Sequence, residues 1–268
     1  IALIRPDHLP VSGPILVLWL VSPLIAWWLS RPIQFREPQL SKDQVIFLRK
    51  LARRTWRYFE VFVTAEEHWL PPDNFQQHPV RRLSSRTSPT NIGMALLANL
   101  SAYDFGYCSA NQLLRRTEKT FDTLDRLERY QGHFFNWYDT HSLEPLSAKY
   151  VSTVDSGNLA GHLVVLQRGL LELIDTEIIP ERLLEGVQDT VHVLMDVTRG
   201  LIEAPEPGCD PEVMKQTLQQ LEQLDTELTT RPGTLDAWIS LLTRLTGLTS
   251  GIVALKGPHG EFHSWARC

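Results

Sequence analysis

The sequence predicts an all-α fold: one apolar helix near the start, then helix pairs that continue almost to the end. Three observations carry that reading. Pro14 to Leu29 reads PILVLWLVSPLIAWWL without a charge. From Ser41 onward apolar residues recur at spacings of three and four, and strand-like alternation is confined to a short run around Tyr150 to Val154. An apolar helix, a charged helix and a long loop then follow one another in turn, without a fixed-period repeat. That rhythm suits a partial (α/α) barrel or toroid, whose inner helices pack together while loops at one end build a cleft. Two regions result. Residues 1–40 hold a transmembrane helix at about 14–30 and the polar connector RPIQFREPQL, and residues 41–268 hold an incomplete barrel half. The chain opens at Ile1 and closes at Cys268 without a tail, which reads as a piece of something longer.

The apolar run of sixteen residues would cover roughly 24 Å at ~1.5 Å per residue, slightly less than a hydrocarbon core of ~30 Å. Trp27 and Trp28 sit at one end, as interfacial aromatics do. Pro23 would kink the helix without forbidding a span. A buried or interfacial helix is the alternative. A signal peptide fits less well, without an initiator Met or a small-residue cleavage site.

Ser41 and Gln44 form a capping-box signature, and Val45, Leu48, Leu51, Ala52, Trp56, Phe59 and Phe62 mark the face of the helix that follows. A loop over 64–87 carries Pro71-Pro72-Asp73-Asn74. Ser88-Pro89 opens a helix to about 105 that is apolar on most faces, so it belongs inside. Residues 111–130 read as a charged, amphipathic outer helix stopped by Gly132. Asp155 or Ser156 can cap a helix over about 157–175, and Gly157 and Gly161 suggest close packing there. Pro180 to Leu201, Pro211 to Thr230 and Thr234 to Leu248 give three more helical patterns.

Composition removes several function classes. Hydrophobic residues at 43% and charged residues at 21% exclude a disordered chain. A net charge of −5 and a pI near 6.0 argue against nucleic acid as a partner. Cys108, Cys209 and Cys268 are far apart and form no CxxC pair, so neither a disulfide scaffold nor structural zinc follows. A reducing, cytoplasmic setting is the simpler reading. The nine histidines form no HExxH, and GxSxG and P-loop motifs are missing. No metal is expected.

Four segments carry candidate chemistry. GHFFNWYDT, residues 132–140, concentrates aromatics with Asn and Asp. Sugar rings stack their C–H faces on aromatics while their hydroxyls need polar partners, and this loop supplies both. An aromatic plug at the top of a helical barrel explains it equally well. TVDSGN, residues 153–158, clusters Asp155, Ser156 and Asn158 at a helix start, either as ordinary capping or as groups aimed into a cleft. In RTSPTN, residues 86–91, capping explains Ser88 and Pro89 but not Arg86 or Asn91. WLPPDNF, residues 69–75, is a stiff loop whose Asp73 and Asn74 are turn residues or ligand contacts. Glycoside chemistry usually needs two carboxylates; Asp139 and Asp155 are available, but neither has an independent claim to be acid or nucleophile.

WLPPDNFQ (69–76), RTSPTNIGM (86–94), DFGY (104–107), LERYQGHFFNWYDT (127–140) and YVSTVDSGNLAGHL (150–163) together resemble bacterial cyclic β-1,2-glucan synthases. The resemblance covers roughly residues 13–175, and 176–268 carry helical pattern only. Such synthases are large inner-membrane proteins. A membrane-embedded glucosyltransferase part uses UDP-glucose, a middle glucoamylase-like (α/α) region transglycosylates the linear glucan into a ring, and a phosphorylase-like region trims length. The resemblance implies that this chain joins the last transmembrane helix of the first part to the first half of the middle region. It implies that Arg86, Asn91, Trp137, Tyr138, Asp139, Asp155 and Asn158 line the glucan cleft, with Trp137 and Tyr138 stacking on glucose rings. It implies catalytic glutamates downstream of Cys268, no cofactor for this segment, and UDP-glucose as donor for the parent enzyme. The implied partners are the β-1,2-glucan chain, the lipid bilayer and the rest of the synthase. Arg31 and Arg36 after the span favour a cytoplasmic helical region at the inner membrane, although Arg5 flanks the other side. The alternative is a membrane-tethered helical module that binds glucan or a partner without catalysis.

Overall fold

The computed structural model describes residues 9–31, 39–175, 181–205, 210–229, 232 and 234–254. The chain divides into two units, 1–41 and 42–268.

The first unit holds helix α1 (Leu9–Leu29), 21 residues long, or about 32 Å at ~1.5 Å per residue. It begins earlier than residue 14 because Pro10 falls in the first turn, where a missing N–H costs nothing. Its mean hydropathy reaches 1.7, and by length and composition it can cross a membrane. The Arg31 guanidinium lies 4.1 Å over the Trp27 ring. Arg5, Arg36 and most of the connector lie outside the described residues.

The second unit is built on seven further helices among the described residues: α2 (Lys42–Phe62), α3 (Pro89–Asp104), α4 (Ala110–Leu124), α5 (Thr153–Glu172), α6 (Arg182–Glu203), α7 (Pro211–Leu228) and α8 (Leu235–Ala254). The fold is all-α, as the sequence pattern requires. Ser88 caps α3 by accepting from the Asn91 N–H, with Pro89 in the first turn. Ser109 and Gln112 close a reciprocal capping box on α4. That helix stops at Leu124 rather than near 130, because Arg129 and Tyr130 pair with Phe134 and His133 in a small hairpin. The strand-like run at Tyr150 to Val154 is no strand. Ser152 accepts from the Asp155 N–H and starts α5 at Thr153, several residues before the expected cap. Asp155 therefore lies in the first turn of α5 and does not cap it.

Among the described residues, strand pairing occurs in the loops as three antiparallel two-residue ribbons: β1 (Phe75–Gln76) with β2 (Arg82–Leu83), β3 (Arg86–Thr87) with β6 (Tyr138–Asp139), and β4 (Arg129–Tyr130) with β5 (His133–Phe134). The β3–β6 ribbon joins two segments that are distant in sequence, and it sits beside the start of α3.

Helices α3 and α5 pack closely. A Cβ at Gly93 would stand 2.3 Å from His162 Nδ1, and one at Gly169 would stand 2.4 Å from Leu100 Cδ2. Each helix advances seven residues from the first contact to the second, so α3 and α5 run parallel with their amino termini side by side. Gly157 and Gly161 take no part in this contact: a Cβ at either would meet nothing within 4 Å. Ile92 and Leu96 of α3 and Leu159 and Leu166 of α5 form a core with Leu70, Leu124, Phe135 and Tyr138 from the loops and α4. A second core gathers Trp56, Ala102, Tyr103, Cys108 and Leu113. Helices α6, α7 and α8 own a third, built on Leu184, Val191, Leu194, Leu221, Leu224 and Leu241.

Helix α2 divides its labour. Trp56 is buried, while Leu48 and Leu51 of the same apolar stripe stay about half exposed at 46% and 51%. Its polar face meets α6 through ion pairs. Arg49 Nε lies 2.9 Å from both carboxylate oxygens of Asp189, to which Tyr107 Oη also donates at 3.0 Å. Lys50 reaches Asp196 at 2.7 Å, and Arg53 Nε donates to Thr190 Oγ1 at 2.8 Å. Burial pushes the Asp189 carboxyl above its usual range, and the Arg49 fork and Tyr107 offset this only in part.

Asp189→Ala should therefore lower stability by about 3 kcal/mol, because Arg49 and Tyr107 lose their shared buried acceptor. Lys119→Ala, at an exposed pair with Asp122, should cost less than ~0.5 kcal/mol. Urea unfolding of both variants checks the contrast, and equal losses would contradict it.

Candidate functional site

The site grows from the β3–β6 ribbon and the parallel starts of α3 and α5. In the ribbon Arg86 pairs with Asp139 and Thr87 with Tyr138. This register sets Trp137, the residue before β6, beside Arg86. The guanidinium lies 4.7 Å from the centre of the indole ring and covers one of its faces. Arg86 is itself held by Asp73, whose Oδ2 accepts from Nε at 3.2 Å and from Nη2 at 3.0 Å. The other oxygen of Asp73 accepts from Asn91 Nδ2 at 3.3 Å.

Thr90 links the two helix starts. Its hydroxyl donates to Asp155 Oδ1 at 2.6 Å and accepts from Asn158 Nδ2 at 3.1 Å. Asn136 closes the remaining gap. Its carboxamide faces two donors and a carboxylate, and one orientation satisfies all three. Nδ2 then donates to Asp155 Oδ2 at 2.9 Å, while Oδ1 accepts from Tyr150 Oη at 2.6 Å and from Trp137 Nε1 at 2.7 Å. The result is a closed circuit: Thr90, Asp155, Asn136, Trp137, Arg86, Asp73, Asn91, and back along the backbone to Thr90. It pins the partly buried Trp137 indole at its edge and over one face.

The carboxylates are held ionised. Desolvation pushes Asp155 up, but hydrogen bonds from Ser152, Thr90 and Ser88 together outweigh it and hold the carboxyl below its usual range. Asp139 is also held low, chiefly by the Ser142 N–H, with the His141 N–H adding to it against a desolvation penalty. Both N–H groups bond its Oδ1, at 2.8 and 2.9 Å, and close the 139–142 turn. Neither group is suited to donate a proton near neutral pH. Beneath the ribbon, Glu67 is 5% exposed. It accepts from Ser85 Oγ at 2.9 Å and from Thr140 Oγ1, and lies 3.4 Å from His141 Nε2. This buried acceptor ties the loop before β3 to the residue after β6.

Arg86, Asn91, Trp137, Asp155 and Asn158 are thus brought together. Tyr138 is not available for stacking: it is fully buried. Its hydroxyl accepts from the Phe135 N–H and donates to the Glu128 carbonyl, each at 2.7 Å. It is the aromatic plug that the sequence also allowed. Asp139 belongs to the ribbon but is spent on its turn. Sequence reasoning passed over Thr90, Asn136 and Tyr150. Their signal was proximity to singled-out residues, but polar side chains in loops are too common to stand out without partners. Asp73 was noticed as a turn residue or ligand contact, but not as the clamp on Arg86 and Asn91. Among the described residues no three His, Cys, Asp or Glu gather as metal ligands do.

No family model matches the chain. Among curated proteins it is 50% identical over 169 residues to the cyclic β-(1,2)-glucan synthase NdvB of Rhizobium meliloti (strain 1021). That match covers 62% of this chain and 6% of NdvB. The resemblance carried by the sequence motifs is borne out at this level of identity. Among solved structures, a candidate glucoamylase from Bacteroides fragilis NCTC 9343 overlaps 72% of this chain and 37% of its own, at 17% identity and a TM-score of 0.35. An overlap that loose does not decide how the helices are arranged.

A carboxyl held low contributes stability that is present above the ordinary aspartate range and lost as pH falls through its depressed folded value. Asp155→Asn should flatten the acid limb of the stability profile. Thr90→Val should shift the Asp155 contribution to that limb toward higher pH. Urea unfolding between about pH 2 and pH 7 measures this, and equal acid slopes in wild type and Asp155→Asn would contradict it.

Proposed function

We propose that this chain is a segment of a membrane-bound cyclic β-1,2-glucan synthase, and that its loop-and-helix-start cluster lines the cleft through which the glucan is drawn into a ring. The parent enzyme would use UDP-glucose to lengthen the chain and would then transfer it onto its own end. Helix α1 would be the last membrane span, with the second unit on the cytoplasmic side of the inner membrane. Helices α2 to α5 would begin an (α/α) toroid completed by later residues, which would also bring the catalytic glutamates.

The observation that carries this is Trp137. An indole fixed at its edge by Asn136 and covered on one face by Arg86 offers a preorganised platform for an apolar sugar face. The amide and carboxylate groups of Asn91, Asp155 and Asn158 border it, and sugar hydroxyls need such partners. The identity to NdvB includes no claim on activity by itself, since the shared part is 6% of that protein. It supports β-1,2-glucan as the sugar over other glucans.

One observation favours a second reading, a non-catalytic helical module that holds glucan. Both carboxylates near Trp137 are kept ionised by donors, so the cluster is equipped to bind and not to protonate a glycosidic oxygen.

Trp137→Ala in the full-length protein should lower ring yield by at least ~10-fold, the usual loss for truncating an aromatic anchor, while linear chain growth continues. Mass spectrometry of the products separates the two. Equal ring yield would remove the stacking role. In the 268-residue chain, β-1,2-gluco-oligosaccharides should bind more tightly than β-1,4 ones by titration calorimetry, and Trp137→Ala should abolish the difference. A native protein of 30.7 kDa on an immunoblot would favour the module over the synthase segment.

A further inference from the structure

A second polar pocket lies at the carboxyl-terminal ends of α3 and α5. The sixteen residues of α3, about 24 Å at ~1.5 Å per residue, separate it from the ribbon site. The pocket has a volume of about 260 Å³. Helix α3 contributes Leu100, Tyr103 and Asp104, α5 contributes Arg168 and Glu172, and α6 contributes its first residue, Arg182. Two glycines bring Arg182 there. Gly106 takes a left-handed conformation (φ +80°) in the turn after α3, and a Cβ on it would run into the Arg182 carbonyl. Gly186, one turn into α6, meets the Gly106 backbone in the same way. Helix α6 therefore starts directly on the end of α3, and the Arg182 guanidinium lies 4.1 Å from the centre of the Tyr103 ring. That stack uses one face of the guanidinium and none of its N–H groups. Nε and Nη2 are buried, and among the described residues neither has a hydrogen-bond partner. These two nitrogens form the planar edge with which arginine grips a pair of oxygens. A buried donor without an acceptor is costly, and two on one edge point to a ligand with two neighbouring acceptors.

We infer that this pocket binds one sugar unit of a neutral glucan by its hydroxyls, as a second contact remote from Trp137. The inference rests on the reading above that the chain handles β-1,2-glucan. Three observations select the ligand. The first is charge balance. Arg168 and Arg182 share the pocket with Asp104 and Glu172, and the carboxyl-terminal ends of two helices add partial negative charge. An anion would meet as much repulsion as attraction. Burial already pushes the Asp104 carboxyl above its usual range; Arg182 opposes the rise and Glu172 adds to it. The second is the mixture of donors and acceptors. Guanidinium N–H groups only donate and carboxylates only accept. Among the described residues these four side chains form no hydrogen bond or ion pair with one another. A hydroxyl does both. Two vicinal hydroxyls of a sugar ring would set their oxygens on the Arg182 edge and turn their protons to the carboxylates, while Leu100 gives the C–H face an apolar wall. The third is size. Pockets for drug-sized ligands begin near ~300 Å³, so this one holds a single ring and not a stretch of chain. Contacts at both ends of the α3–α5 pair would hold one long glucan at two points, which strengthens binding without new chemistry at either.

The test is a titration of the 268-residue chain, in detergent micelles, with the β-1,2-linked glucose disaccharide. NMR follows two side-chain signals. The Arg182 Nε–H reports the pocket and the Trp137 Nε1–H reports the ribbon site; Arg182→Lys and Trp137→Ala assign them. Both signals should shift saturably. Asp104→Ala should weaken the Arg182 response at least ~10-fold, the usual cost of losing a hydrogen bond to a charged group, and should leave the Trp137 response unchanged. A carboxylate at a helix carboxyl terminus opposes the dipole, so this variant should keep or raise the thermal midpoint, which separates lost binding from lost folding. A silent Arg182 signal beside a responding Trp137 would overturn the pocket alone and leave water on its N–H edge. An equal Arg182 response in wild type and Asp104→Ala would overturn it as well. A saturable Arg182 shift with inorganic phosphate would overturn the choice of a neutral ligand. An Arg182 shift beside a silent Trp137 would support the pocket and sink the cleft reading, and silence at both would sink both.

Discussion

The contact of Gly93 with His162 is the constraint on which the site depends. An ordinary side chain at residue 93 would force the His162 side chain aside or push α5 away, because its Cβ would fall 2.3 Å from Nδ1 and 3.0 Å from Cβ of His162. With glycine there, the two helices run parallel and close, and Thr90 reaches Asp155 and Asn158 directly. No single loop creates the polar row; the helix crossing does. Once the crossing is set, Asn136 can span from Asp155 to the Trp137 indole, and the β3–β6 ribbon needs only the Asp73 clamp to hold Arg86 over the ring.

The second unit achieves cohesion by two different physical means. Helices α3, α4 and α5 and their loops share apolar cores, whose stabilisation is non-directional and scales with buried area. The α6–α8 bundle has its own core and meets α2 through Arg49, Lys50 and Arg53 set against Asp189, Asp196 and Thr190. Buried ion pairs add little net stability, because desolvation consumes most of the attraction. They do fix register, since a shift by one residue leaves several charges unpaired at once. The seam thus orients the bundle on α2 more than it holds it there, which agrees with the upward push on the Asp189 carboxyl.

The helices were legible because their signals are local. Ser88-Pro89 states where α3 begins, and the structure agrees to the residue, whereas the Ser109–Gln112 box that starts α4 at Ala110 was not read and that helix was expected from 111. The start of α5 was misjudged for a physical reason. Ser152, Asp155 and Ser156 can all cap, and only the tertiary bond from Thr90 decides that Asp155 is needed elsewhere. Five of the seven residues singled out in sequence do converge, because unusual side chains in loops beside helix starts have few reasons to be there. Tyr138 shows where this logic fails. Its composition is that of a ligand platform, but the β3–β6 register turns alternate residues to opposite sides, so that Trp137 faces out and Tyr138 in. A ribbon two residues long leaves no alternation to read.

A carboxylate near a sugar can either hold hydroxyls or move protons, and its environment selects which. Asp155 lies in the first turn of a helix, where unpaired backbone N–H groups and the dipole favour the anion, and it receives further donors from Thr90 and Ser152. Asp139 closes a turn through two N–H groups. Both environments lower proton affinity, whereas a general acid needs it raised by apolar surroundings or a neighbouring negative charge. On the proposed reading the two tasks would be separated in space. The parallel helix starts would supply fixed acceptors and donors for the hydroxyls of a glucan, and a group that cleaves or re-forms a glycosidic bond would have to reach them from another element.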